Sequence, residues 1–158
     1  MPLPADNMEA LFLKWMKGDS NAVEFLLNIA YITRLADDIV DGDSKDVAAD
    51  MAHLLYRALI MPAKNPFYLA NEEALSAIMV NALMKWEQSE RWKGAPDEKT
   101  RIFAYIYREG IQEVLYASAK IVGGYKHAIK VMDELHQQSH LTSPETFADW
   151  EKEHGHVL

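Results

Sequence analysis

The chain has 158 residues, 49% apolar and 25% charged, the balance of a folded globular protein with length for one domain and a sizeable core. A formal net charge of −8 argues against general nucleic-acid binding, which rests on many Lys and Arg contacts to phosphates. With no Cys, disulfides and thiolate metal sites are excluded. No apolar run reaches the roughly 18 residues that a membrane span needs, and Met1-Pro2-Leu3-Pro4 does not open a signal peptide. A soluble cytoplasmic protein is the expectation.

In chain order, Met8 to Lys17 predicts a short amphipathic helix closed by Gly18. Asp19, Ser20 and Asn21 are N-cap candidates for a second helix of about six turns ending at Asp41, with Glu24 placed as in a capping box. Asp43 or Ser44 is expected to cap a third helix, Lys45 to about Ile60, which Pro62 stops. Lys64-Asn65-Pro66 reads as a turn, and a fourth helix runs from about Asn71 to Trp92. Pro96-Asp97-Glu98 opens a fifth, which continues to about Val122 with Gly110 as a kink. Gly123-Gly124 breaks the chain, Tyr125 to about Gln138 forms a sixth helix, and Ser143-Pro144-Glu145 begins a last short one. No strand-period segment or repeat interrupts this pattern. The expectation is a single all-α domain over residues 1–158, a bundle of five to seven helices, with 143–158 as a short terminal helix and mobile tail.

Chemistry concentrates at the end of the second helix, in Arg34-Leu35-Ala36-Asp37-Asp38-Ile39-Val40-Asp41-Gly42-Asp43. At helical pitch Asp37, Asp38 and Asp41 share one face, in a last turn whose free carbonyls already make it negative. A hard divalent cation resolves that conflict, and Mg²⁺ in particular binds one or two carboxylates together with phosphate oxygens. A solvated helix end, with Asp41 or Asp43 serving the turn, is the competing reading. Val23, Leu27 and Ala30 lie on the same stripe as Arg34 and the aspartates, which suits a pocket with an apolar floor and an acidic mouth. It equally suits a helix crossing the core at an angle.

The run Arg-x-x-Asp-Asp-Ile-Val-Asp-Gly resembles the first aspartate-rich motif of isoprenoid synthases, especially the form in head-to-head prenyl synthases of the phytoene synthase type. That resemblance implies an all-α fold around a central cavity, Mg²⁺ held by Asp37, Asp38 and Asp41, and Arg34 near a substrate diphosphate. The family closes its metal site with a second Asp-rich helix, and no second Asp-x-x-x-Asp occurs downstream. The nearest substitute is Glu109-Gly-Ile-Gln-Glu113, with Arg108, Tyr105, Gln112 and Tyr116 close by, although a solvated face explains the pair as well. Asn81 is a further polar candidate on a largely apolar side of the fourth helix.

Other groupings carry less. Asp46, Asp50, His53 and Arg57 run down one side of the third helix, where intrahelical salt bridging accounts for them. His136 and His140 have metal-ligand spacing but no convincing third ligand, and they read as surface residues, while His154 and His156 fall in the tail. Three functions follow: Mg²⁺-dependent binding or turnover of a diphosphate ester with an apolar tail; a non-catalytic helical protein that oligomerises or binds a partner; and an all-α nucleotide pyrophosphatase, whose Glu-x-x-Glu pattern is missing. The surplus of Met and Trp on short helices points to a homo-oligomer.

Overall fold

The computed structural model describes residues 5–154, giving the backbone alone for Ala5 and Asp6. Met1-Pro2-Leu3-Pro4, His156 and the end of the expected tail lie outside the described residues. Nine α-helices and no strand are found among those described: α1 (Ala5–Trp15), α2 (Ser20–Asp41), α3 (Val47–Leu59), α4 (Pro66–Ala70), α5 (Glu72–Trp92), α6 (Glu98–Tyr107), α7 (Gln112–Gly123), α8 (Tyr125–Leu135) and α9 (Phe147–His154). The all-α expectation holds, with more helices than the five to seven foreseen. The chain divides into two compact units, one ending at Leu75 and the other beginning at Ser76, inside α5.

The N-terminal unit is built on α2. Asp19 caps it by accepting from the Ala22 amide at 3.0 Å, and the buried residues Ala22, Val23, Phe25, Leu26, Asn28 and Ile29 all lie in its first half. Phe25 packs between Phe67 and Tyr68 of α4, with ring centroids 6.0 and 5.5 Å away. Burying such a side chain is worth about 1.5–3 kcal/mol. Asn65 explains why α4 exists where a bare turn was expected: its side-chain oxygen accepts from the Tyr68 amide at 2.9 Å as an N-cap, with Pro66 in the first turn. Its side-chain amide donates to the Asn21 carbonyl at 2.9 Å, fastening α4 to the start of α2.

The third helix starts later than expected. Its cap is Asp46, which accepts from the Ala49 amide at 3.0 Å, while Ser44 donates its hydroxyl to Asp50 at 2.6 Å. The row Asp46, Asp50, His53, Arg57 therefore makes no intrahelical ion pair among the described residues, contrary to the sequence reading. Arg57 turns to α2, where it donates to the Asn28 side chain at 3.3 Å and lies 4.3 Å over the Tyr31 ring. Asn28 returns a bond to the Arg57 carbonyl at 2.8 Å. Because polar groups make this contact, α3 has no buried residue at all.

In the C-terminal unit α7 packs on α8 through Val114, Leu115, Ala119, Ala128, Val131 and Leu135, all buried. Tyr105 of α6 meets Phe147 and Trp150 of α9 edge-on, at 5.5 and 5.3 Å between centroids. The fifth helix foreseen as continuous is two helices. The amides of Glu109, Gly110, Gln112, Glu113 and Val114 bond three residues back rather than four, as in Gly110 to Tyr107 at 2.9 Å and Glu113 to Gly110 at 3.1 Å. Gly110 is buried there, and a Cβ on it would stand 3.1 Å from the Lys85 Cβ of α5, so the close approach of α5 selects glycine.

Candidate functional site

The acidic end of α2 is shaped by its stop signal. Gly42 takes a left-handed conformation, φ 81°, and its amide returns to the Asp38 carbonyl. The amides of Asp43 and Ser44 bond to that same carbonyl at 2.9 and 3.0 Å. This cap fixes the last turn, and with it the base from which the Asp37, Asp38 and Asp41 side chains project. Asp37 and Asp38 are half-buried and Asp41 is exposed. The last turn holds no basic residue. Asp38 and Asp41 form no ion pair or side-chain hydrogen bond among the described residues, and neither does the exposed Arg34 one turn earlier. On the same stripe Val23 is buried, and Leu27 and Ala30 are half-buried.

Carboxylate oxygens suit a hard cation, and among the described residues Asp38 and Asp41 have no counter-charge of their own. Among the described residues no three His, Asp or Glu side chains gather closely enough to hold a metal ion by themselves. An ion at this helix end would need further oxygens from a ligand of its own, as when Mg²⁺ binds phosphates.

The other candidates, Asn81, Glu109 and Glu113, fall in the C-terminal unit and already have protein partners. Glu113 accepts from the Asn81 amide at 2.9 Å and pairs with Lys85, so α5 and the start of α7 are linked by charge as well as by the Gly110 contact. Glu109 lies 3.6 Å from the Arg108 guanidinium and accepts from the Gln112 amide at 3.1 Å. The pair expected side by side on one helix is thus divided between two sets of partners by the tight turns around Gly110.

Gln112 is the centre of a polar network that reaches further than the sequence suggested. It is buried, accepts from the Tyr116 hydroxyl at 3.0 Å and has its amide nitrogen 3.1 Å from Nε2 of His140. His140 lies on a π-turn, His136–His140, where the Leu141 amide reaches back to the His136 carbonyl at 3.1 Å. It is half-buried and bonded, a correction to its reading as a surface residue, whereas His136 is exposed. Burial holds the His140 imidazole below the usual histidine range, reinforced by His136 and Arg108 and opposed by Glu109. Burial likewise raises the Tyr116 phenol, with the charges of Glu109 and Glu113 adding to it. Arg108 is held by Glu145 at 2.6 Å and lies 4.2 Å over the Tyr105 ring, so it serves the docking of the segment before α9. The i,i+4 spacing of the two histidines was visible in the sequence; the widened turn that tucks one of them inward was not.

No protein-family model, curated protein or solved structure matches this chain.

Proposed function

We propose that this chain binds a diphosphate ester with an apolar tail through Mg²⁺ at the C-terminal end of α2. One observation carries the reading: Asp38 and Asp41 sit at the negative end of a 22-residue helix with no basic residue in the last turn and, among the described residues, no ion pair of their own. Each like-charge pair there is unfavourable by about 0.2–0.5 kcal/mol, and the helix dipole adds to it. A divalent cation removes both penalties. Asp37, Asp38 and Asp41 are the residues to hold it, and Arg34, one turn earlier, is the cation for a diphosphate oxygen. Of the apolar stripe Val23, Leu27 and Ala30, the half-buried Leu27 and Ala30 offer surface for the tail, while Val23 lies in the core. The ion supplies neutralisation of the diphosphate charge, the same service that stabilises such a leaving group in transfer reactions.

Since the carboxylates do not assemble a metal site by themselves, ion and ligand are expected to bind together. Calorimetric titration with inorganic diphosphate tests this. Heat of binding is expected when Mg²⁺ and diphosphate are both present, and little with either one alone. Diphosphate binding that survives EDTA, or no binding under any of the three conditions, contradicts the reading.

A further inference from the structure

The third helix leaves most of its apolar residues exposed. Its half-buried side carries Asp50, Leu54 and Arg57, of which Arg57 bonds to α2, while its open side carries Ala48, Met51, Ala52, Leu55, Tyr56 and Leu59, with Leu59 67% and Leu55 47% exposed. Within that side Ala48, Ala52, Leu55 and Leu59 follow one another at intervals of four, three and four residues, the spacing of a coiled-coil seam. We infer that this seam is the contact surface for a second copy of the same chain, with the two α3 helices antiparallel about a twofold axis.

The order of side chains selects both the partner and the direction. In antiparallel pairing centred between residues 53 and 54, Ala48 meets Leu59 of the second copy and Ala52 meets its Leu55. A small residue faces a large one in every layer, as close packing requires. The flanks match too, since Met51 falls beside Tyr56. A parallel pairing would instead stack alanine on alanine and leave voids beside two crowded leucine layers. Charge agrees with the antiparallel choice. Exposed Asp43 and Asp46 outnumber exposed Lys45 at the N-terminal end of α3, and exposed Lys64 lies beyond its C-terminal end, so opposite net signs approach and the helix dipoles oppose. The seam itself carries no charge, so two copies with a net charge of −8 each can meet there. Twofold symmetry doubles every one of these contacts. A single pair of four-turn helices buries less than a standard interface, so the dimer is expected in the micromolar range.

The dimer uses α3 and does not depend on the metal reading. Light scattering at high micromolar concentration is expected to give a dimer for the native chain and a monomer of unchanged helical circular dichroism for Leu59→Glu. The absence of native cysteine allows the direction to be read by disulfide formation. Chains carrying Ala48→Cys, mixed with chains carrying Leu59→Cys, are expected to cross-link to each other. Either variant alone is not, because identical positions then stand about 16 Å apart along the axis, at about 1.5 Å per residue. A native monomer at that concentration, a Leu59→Glu dimer, or faster cross-linking of Ala48→Cys chains among themselves overturns the assignment.

Discussion

Residue chemistry separates the two polar regions of this chain. Among the described residues Asp38 and Asp41 have no side-chain partner at a charged helix end, whereas Glu109, Gln112, Tyr116 and His140 satisfy one another. The second arrangement has a consequence in acid. The folded state lowers the His140 pKa beneath 6.5, chiefly by burial, so below that pH the unfolded chain binds more protons than the folded one. The contribution of neutral His140 is therefore complete above pH 6.5 and is lost as the pH falls from there through the folded pKa. Melting temperatures between about pH 5 and 7 are expected to drop more steeply for the native protein than for His140→Gln, which has no imidazole to protonate. Equal slopes would show that this imidazole does not couple to folding. Glu109, Arg108 and His136 face the ring and set the size of the effect.

At the scale of elements, caps and breakers were legible and tertiary adjustments were not. Asp19, Asp97 and Gly42 stand at helix ends where the sequence placed them, because a capping side chain or a left-handed glycine acts on its own few residues. The split of the fifth helix depends on Lys85, 25 residues earlier, against Gly110, and periodicity carries no such information. The same holds for α3, where Arg57, read from the sequence as part of an intrahelical row, turns instead to Asn28 and Tyr31 of α2. For the candidate site, the three aspartates and their turn were visible as a local motif, while Asn81 and Lys85, the partners of Glu113, come from a distant segment. Gly110→Ala is expected to cost about 1–3 kcal/mol, because the new methyl meets the Lys85 Cβ and the Tyr107 carbonyl at 3.1 and 3.2 Å. Urea denaturation measures this directly, and an unchanged midpoint would mean that α5 can move aside.

For the whole molecule, the excess of acidic groups makes cation binding a question of place rather than of net attraction. The chain has 24 Asp and Glu against 16 Lys and Arg, so divalent ions are drawn to it weakly everywhere. What distinguishes the end of α2 is that removing the Asp38 carboxylate relieves repulsion and breaks no side-chain bond among the described residues. Asp38 has no salt bridge to Arg34 to lose, and it supports the Gly42 cap through its backbone carbonyl, which Asn keeps. Elsewhere an acidic residue that caps a helix, such as Asp19, would cost about 0.5–2 kcal/mol when truncated to Ala. The measurement that bears most directly on the central claim is therefore the melting temperature of the native protein and of Asp38→Asn, each with and without Mg²⁺ and inorganic diphosphate. The account predicts that the ligands raise the native value by mass action, that Asp38→Asn abolishes this rise, and that the ligand-free variant melts at the native temperature or slightly above it. A ligand-free Asp38→Asn protein that is clearly less stable, together with a native protein that does not respond to Mg²⁺ and diphosphate, would contradict it.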